Sequence, residues 1–143
     1  MTDLLNAGKQ ALAAQPFSQL LGAALTEFSA ERVEIVVPIT QQIKQQNGFV
    51  HGGVISYAAD NALTFAGGAA LGAAVVTSEY KINYLKPAFG DKLIARATLL
   101  HAGKNQAVCR CDVFAVGAEG EETLCAAAQG TIVKLPDRPA RDV

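Results

Sequence analysis

The segment Asn47–Asp60, NGFVHGGVISYAAD, decides how the rest of the chain is interpreted. It sets His51 directly before Gly52 and Gly53, at the point where a helical pattern of apolar residues begins. The N-terminus of a helix presents unpaired backbone N–H groups and a partial positive charge. Glycine there lets a ligand oxygen come close to the backbone. The segment therefore predicts a helix whose first turn polarises a carbonyl oxygen bound to the N–H of Gly52 or Gly53.

The predicted helix extends from Val54 to Leu71 and has two unlike sides. At 3.6 residues per turn, one side carries mainly small apolar residues, which allow the helix to lie close to a sheet. That side is formed by Ile55, Ala58, Ala62, Phe65, Ala66 and Ala69. The other side is formed by Gly53, Ser56, Tyr57, Asp60, Leu63 and Thr64. The lone carboxylate of Asp60 thus shares a surface with hydroxyl groups and with the start of the helix.

The composition is that of a soluble globular protein. Of the 143 residues, 50% are hydrophobic and 17% are charged, and the net charge is −1. We expect a single domain over residues 1–143, and no nucleic-acid partner, because lysine and arginine form no cluster. The first ten residues lack the apolar stretch of a signal peptide, and the longest apolar run, 66–76, is too short to span a bilayer. These features predict a cytoplasmic protein with no membrane segment.

Three cysteines, Cys109, Cys111 and Cys125, favour a reducing compartment, because an odd, irregularly spaced set makes a poor disulfide framework. A zinc site built from Cys109, Cys111 and His101 is the alternative. Buried cysteines that pack as small apolar side chains are the better interpretation. We therefore expect no metal and no cofactor.

The remaining pattern predicts an α+β arrangement. A short amphipathic helix over 3–15, within an N-terminal helical region 1–17, ends at Pro16, and two strands follow over 21–29 and 32–39. After the long helix come four extended segments, 73–85, 91–102, 106–116 and 123–135, and a flexible tail, 135–143. Their links, 87–90, 102–105 and 117–122, contain Pro, Gly or Asn, which is typical of hairpins. One helix cannot cover both faces of an antiparallel sheet, so a second copy is expected.

The segment 47–62 resembles the signature of hotdog-fold thioesterases, and specifically of the PaaI-like (phenylacetate-pathway type) branch. The segment 75–104, VVTSEYKINYLKPAFGDKLIARATLLHAGK, resembles the strand, the Tyr-Leu-x-Pro-Ala turn and the hairpin that follow the helix in this family. The order of segments matches from about residue 20 to 134, which is nearly the whole chain. The resemblance implies a long central helix wrapped by an antiparallel sheet of about six strands, with a short N-terminal helix.

The resemblance also implies roles for four residues. Gly52 corresponds to the backbone donor of the oxyanion hole. Asp60, eight residues later, corresponds to the catalytic carboxylate, which acts as a base or as a nucleophile. Thr77 corresponds to a hydroxyl that orients the water, and Thr64 to a threonine that assists in the hydroxybenzoyl-CoA branch. The implied activity is hydrolysis of an acyl-CoA or aroyl-CoA thioester.

Other site residues follow less directly. Gln45 takes the position of an amide that is Asn in many PaaI-like members, which leaves the acyl group open. His51 resembles a loop organiser, although a histidine also titrates near neutral pH as a base would. The expected substrate contacts are Gly53, Phe49, Tyr57 and Leu63; ordinary packing or dimer contacts are the equal alternative for the last three. Basic residues that could meet the phosphates of coenzyme A, or be ordinary solvated charges, are Lys86, Lys104 and Arg110.

Two further functions stay open at this stage. An enoyl-thioester hydratase or dehydratase would use a positioned histidine as well as an acid, and a non-catalytic acyl-CoA sensor would bind without turnover. A thioesterase needs less, because a thiolate leaving group with a pKa of about 8.5 departs with little protonation. Asp60 is too far along the helix to serve Gly52 in the same chain. We therefore expect a homodimer or homotetramer with active sites at the dimer interface.

Overall fold

The computed structural model describes residues 3–136. The helices are α1 (Asp3–Ala13), α2 (Pro16–Leu21) and α3 (Gly52–Leu71), with a 3₁₀ turn at Gln41–Ile43. The strands are β1 (Ala24–Phe28), β2 (Val33–Pro38), β3 (Val75–Tyr84), β4 (Lys92–Ala102), β5 (Gln106–Val116) and β6 (Glu122–Lys134).

The six strands form one antiparallel sheet in the order β1-β2-β4-β5-β6-β3, and α3 packs across its inner face. Small residues bring the helix and the sheet together: Ala58 and Ala62 are fully buried, and a Cβ on Gly67 would lie 2.5 Å from Cβ of Ile132. This close approach explains the alanines and glycines of the helix. The predicted hotdog architecture is confirmed.

The link between β3 and β4 differs from the prediction. Residues 87–90 have the composition of a hairpin, but β3 pairs with β6 and β4 pairs with β2 and β5. The hairpin assignment is therefore wrong, because the link is anchored elsewhere. The N–H groups of Leu85 and Lys86 donate to the carbonyl of Cys125, and the buried Ala88 accepts from the N–H of Val50. The chain consequently crosses the end of the sheet to a strand on the far side of β6 and β5.

The N-terminal region also differs in detail. The predicted helix over 3–15 ends at Ala13, and Pro16 begins a second helix, α2, instead of only ending the first. Proline is well suited to the first helical position, because its missing N–H would be unpaired there. Leu21 closes α2, so the following strand begins at Ala24 instead of at residue 21. The predicted tail falls mostly outside the described residues.

The sheet leaves β3 at one edge, where one side of its backbone pairs with β6. Edge strands offer a row of unpaired N–H and C=O groups to another chain.

The sheet also curves around α3 further than the helical projection suggests. Leu63, which the projection separates from the sheet side, is fully buried and lies beside Gly130 of β6. Within residues 3–136, no helix is long and apolar enough to cross a membrane.

Candidate active site

The start of α3 is organised by His51, which is its N-cap residue. Nδ1 of His51 accepts a hydrogen bond of 2.8 Å from the N–H of Gly53, and its carbonyl accepts one of 2.9 Å from the N–H of Val54. Among residues 3–136, the N–H of Gly52 has no hydrogen-bond partner. Of the first helical donors, Gly52 is therefore the one left for a ligand, and the ring of His51 is engaged in capping.

An apolar cavity of about 290 Å³ opens beside this free donor. Its lining residues are Phe49, Val50, Gly52, Ile55, Tyr84, Leu85, Lys86, Pro87 and Ala88. Phe49 stacks edge-on against Phe89, with 5.8 Å between the ring centroids. The hydroxyl of Tyr84, at the end of β3, donates to the carbonyl of Gly52 over 3.0 Å. The cavity thus places an apolar wall beside the unpaired backbone N–H of Gly52.

The carboxylate of Asp60 lies in a cluster of hydroxyl groups. Thr77 Oγ1 donates to Asp60 Oδ1 over 2.6 Å. Thr64 Oγ1 lies 2.8 Å from Thr77 Oγ1 and also 2.8 Å from the carbonyl oxygen of Asp60. Thr77 gives its hydrogen to Asp60 Oδ1 and Thr64 donates to the Asp60 carbonyl, so Thr64 can only share that one hydrogen with Thr77 Oγ1. In the described part of the chain, Asp60 Oδ2 has no partner, so one carboxylate oxygen is fixed and the other is available.

Three side chains of β3 that carry hydroxyl groups contact α3 at every fourth residue of the helix. Tyr84 contacts Gly52, Tyr80 hydrogen-bonds through its hydroxyl to Ser56, and Thr77 contacts Asp60. Residues 52, 56 and 60 fall on one stripe of a helix, because side chains four apart are neighbours. The edge strand is therefore attached to the helix beside both of the groups that the sequence predicts to do chemistry.

Gln45, Tyr57 and Leu63 lie elsewhere. Gln45 Oε1 accepts from the backbone N–H of Asn47 and so closes its own loop. The hydroxyl of Tyr57 lies 2.5 Å from Ser18 Oγ, and its ring stacks edge-on against Phe17 of α2. Leu63 is in the core. The structure thus brings Phe49 to the cavity, whereas Tyr57 faces the N-terminal helices.

Basic residues differ in their surroundings. Lys86 lines the cavity beside Gly52. Arg110 lies with Lys81 at a smaller recess of about 160 Å³ between β3, β6 and β5, and pairs with Asp112 at 3.5 Å. Lys104 is exposed in the link between β4 and β5. Of these three basic residues, Lys86 alone lines the same cavity as Gly52.

The cysteines are free and buried, and burial raises the pKa of the Cys109 thiol to about 11. Burial also raises the pKa values of Cys111 and Cys125. His101, the third member of the alternative zinc set, is exposed. Across residues 3–136, no group of three or more His, Cys, Asp or Glu side chains could hold a metal ion.

Within one chain, the N–H of Gly52 and the carboxylate of Asp60 lie far apart along α3. Gly52 and Asp60 are eight residues apart on α3, which corresponds to about 12 Å along a helix at 1.5 Å per residue. A reacting carbonyl whose oxygen sits on the N–H of Gly52 is out of reach of the carboxylate of the same chain.

Comparison with known proteins identifies the family. The model of the thioesterase superfamily matches residues 47–121, slightly more than half of the chain, from the glycine motif through β5. The chain belongs to the thioesterase superfamily. The match supports thioester hydrolysis as its general reaction.

Three solved structures are similar to nearly the whole chain. A thioesterase family protein from Silicibacter pomeroyi is 31% identical, with a TM-score of 0.85, over 92% of this chain and 98% of the other. A thioesterase from Haemophilus influenzae is 27% identical, with a TM-score of 0.78, over 96% and 95%. The E. coli PaaI protein from the phenylacetic acid degradation operon is 23% identical, with a TM-score of 0.75, over 92% and 96%, and shares the fold.

Sequence reasoning missed Tyr84, which lines the cavity and contacts Gly52, and it missed Tyr80, which links β3 to Ser56 outside the cavity. Both lie in the predicted extended segment 73–85, and the resemblance places Tyr84 in the Tyr-Leu-x-Pro-Ala turn without giving it a role. Their spacing of four matches the two-residue alternation of a strand, which puts Tyr80, Ile82 and Tyr84 on the same face of β3. An alternating pattern that ends in a tyrosine beside a proline-containing turn is the signal that was available.

Proposed function

We propose that this chain hydrolyses acyl-CoA or aroyl-CoA thioesters to the free acid and coenzyme A, as PaaI-like thioesterases do. The observation that carries the proposal is the unpaired N–H of Gly52 at the wall of an apolar cavity, on the same helix as the hydroxyl-held carboxylate of Asp60. The apolar walls suit an acyl group, and the free donor suits its carbonyl oxygen.

Gly52 acts on the carbonyl. The thioester oxygen accepts from the N–H of Gly52 at the positive end of α3, and the negative charge that develops on it during attack is stabilised there. The N–H of Gly53 already donates to His51, so it is not available to the thioester oxygen. This supports Gly52, and not Gly53, as the donor. His51 then serves as the cap of the helix and not as the base.

Asp60 delivers the oxygen nucleophile. It either attacks the thioester carbon, giving an anhydride that water then hydrolyses, or deprotonates a water that attacks in its place. In both routes the thiolate of coenzyme A leaves with the electron pair of the broken C–S bond. The hydrogen bond from Thr77 fixes Oδ1, which leaves Oδ2 to meet the reacting carbon or the water.

The complete site requires a second copy. Gly52 and Asp60 lie four residues on either side of Ser56, which meets Tyr80 near the middle of β3. A two-fold axis at this level, with the two β3 strands paired antiparallel along their free edges, brings Asp60 of the second copy opposite Gly52. We therefore propose a homodimer with two sites at its interface, with or without further pairing into a tetramer.

The substrate is held by the cavity beside Gly52. Its volume and apolar lining suit a medium-chain or aromatic acyl group. Lys86, which lines the same cavity, offers a positive charge to the anionic part of coenzyme A. The three free, buried cysteines fit a reducing compartment, and we assign the reaction to the cytoplasm as part of this proposal.

The test is release of free thiol from a panel of acyl-CoAs, from acetyl through medium and long chains to phenylacetyl and benzoyl. We expect turnover on one class of acyl group, with light scattering showing a dimer or tetramer. Absence of thiol release across the panel, with acyl-CoA still bound, would overturn the proposed hydrolysis. A monomer that turns over at the same specific rate would overturn the shared site.

A further inference from the structure

The peptide between Gly52 and Gly53 is held from both of its ends. Its N–H, on Gly53, donates to Nδ1 of His51 over 2.8 Å. Its C=O, on Gly52, accepts from the hydroxyl of Tyr84 over 3.0 Å. The first contact is local to the helix cap, whereas the second comes from β3, more than thirty residues along the chain.

This double attachment occurs where the backbone is most permissive. Two successive glycines have no Cβ to restrict their φ and ψ angles, so the direction of the Gly52 N–H is set by the bonds of the neighbouring peptides. The peptide before Gly52 is fixed by the carbonyl of His51, which accepts from the N–H of Val54. The peptide after Gly52 is fixed by His51 and Tyr84. An oxyanion donor stabilises developing charge only if it points at the oxygen before the reaction begins.

We propose that Tyr84 is a positioning residue for the oxyanion hole. Its hydroxyl holds the peptide that follows Gly52, which limits rotation about the φ and ψ angles of Gly52 and so steadies the direction of the Gly52 N–H. Its ring lies beside the Gly52 backbone as a wall of the cavity. This inference rests on the proposed function, since it assigns Tyr84 a part in the same site. Tyr84 does not exchange a proton with the substrate.

The position of Tyr84 favours this role over ordinary packing. The residue is 55% exposed, so little of its ring is needed to fill the core, yet its hydroxyl points back to the helix terminus. A tyrosine that only covered apolar surface would gain nothing from that hydrogen bond. Phenylalanine would fill the same space.

Tyr84→Phe tests the role, with Tyr80→Phe as the matched control. Both changes remove one hydroxyl that links β3 to α3, but Tyr80 contacts the side chain of Ser56 instead of the oxyanion donor. We expect Tyr84→Phe to lower kcat about ten-fold, with KM and the Kd of an unreactive acyl-CoA thioether within about two-fold of the parent values. Tyr80→Phe is expected to keep kcat within about two-fold of the parent value.

A double-mutant cycle adds a test of the shared peptide. His51→Ala and Tyr84→Phe each loosen the same peptide, so the double variant should lose less than the product of the single losses. His51→Ala with Tyr80→Phe should show multiplying losses. If the losses multiply in both cycles, His51 and Tyr84 do not act on the same peptide, and the inference is overturned.

Two measurements keep the inference separate from the proposed function. If the parent is active and Tyr84→Phe either keeps kcat or changes only KM, the positioning role is overturned while hydrolysis stands. A backbone readout needs no activity: the amide of Gly53 should exchange its hydrogen faster in Tyr84→Phe than in Tyr80→Phe, because Tyr84 helps to hold that peptide. Equal exchange rates would overturn the inference even in a protein that hydrolyses nothing on the panel.

Discussion

Thr77 on the edge strand β3 donates a hydrogen bond of 2.6 Å to Oδ1 of Asp60 on the central helix. The bond orients a carboxylate on a helix face that is only partly buried, and leaves Oδ2 without a partner among residues 3–136. The same strand contacts the helix again at Ser56 and Gly52. One strand thus attaches to the helix beside both groups of the proposed reaction.

Asp60→Asn removes the charge of the carboxylate and keeps its size and its hydrogen bond with Thr77. We expect the fold and the binding of acyl-CoA to persist, and kcat to fall by about 10² or more, because the amide neither attacks the thioester nor takes a proton from water. Steady-state thiol release checks this expectation. Asp112→Asn, which alters a partly buried carboxylate beside Arg110, is the matched control and should leave kcat unchanged. Parent-like turnover by Asp60→Asn would refute the assigned role.

Gly52→Pro deletes the proposed oxyanion donor at a position where the backbone of α3 accepts proline. Gly52 is the first residue of α3, where proline is tolerated, and His51 has a ψ of 133°, which suits a residue before proline. Loss of one oxyanion donor lowers kcat by about 10²–10³. Gly52→Ala keeps the N–H, and its Cβ would meet the ring of Tyr84 at 3.4 Å.

Thermal melts should show that both Gly52 variants are folded before their rates are compared. We expect Gly52→Ala to retain much more activity than Gly52→Pro. Similar rates for the two folded variants would show that the Gly52 N–H is not the donor.

Neighbouring glycines of α3 should respond to alanine in opposite ways. A Cβ on Gly67 would lie 2.5 Å from Cβ of Ile132, which is fully buried, so Gly67→Ala should destabilise the protein by about 1–3 kcal/mol. A Cβ on Gly68 would lie 3.5 Å from Val75, which is an ordinary contact. Because alanine is more favourable than glycine in a helix by up to about 1 kcal/mol, Gly68→Ala should stabilise the protein by up to that amount. Urea unfolding at one protein concentration measures both. A stabilising Gly67→Ala would contradict the close packing of α3 on β6.

The outer face of the sheet should lose stability in acid. Burial alone raises the pKa of Glu34, but hydrogen bonds from Arg96, Thr26 and Arg32 outweigh it and lower that pKa below its ordinary value of 4.5. The hydrogen bond from Arg96 likewise lowers the pKa of Glu122. A lowered folded-state pKa gives stability that is fully present above about pH 4.5 and is lost as the pH falls through the folded value.

Glu34→Gln should therefore lower the free energy of unfolding by on the order of 1 kcal/mol at neutral pH and by less in acid. Urea unfolding from pH 7 to pH 3 measures this difference. Glu31→Gln is the control, since among the described residues the Glu31 side chain makes no ion pair. An equal cost of Glu34→Gln at both ends of the range would contradict the linkage.

Much of the fold could be predicted from the sequence, since local patterns determine it. The predicted extended segment 106–116 has the same bounds as β5, and the small side chains of 54–71 predicted close packing of α3. The position of β3 at the far edge could not be predicted in this way, because strand order depends on long-range pairing and the link 87–90 has the composition of a hairpin. Pro16 predicts the end of the first helix, but proline also favours the first position of a helix, and it begins α2.

The candidate site shows the same division. The grouping of Asp60, Thr64 and Thr77 was expected from family resemblance, and the structure brings these three residues together. The contact of Tyr84 with Gly52 depends on the register of β3 against α3, which a strand pattern does not specify. Tyr57 was expected at the substrate, but its hydroxyl lies against Ser18, because α2 packs over that side of the helix.

The most direct test of the shared site is to mix two inactive variants. Gly52→Pro retains Asp60, and Asp60→Asn retains Gly52, so a mixed dimer contains one intact site and one site that lacks both groups. If equal amounts are unfolded together and refolded, half of the dimers are mixed, and the account predicts recovery to about a quarter of the parent activity. Activity no greater than the mean of the two separately refolded variants would show that Gly52 and Asp60 do not act across the interface.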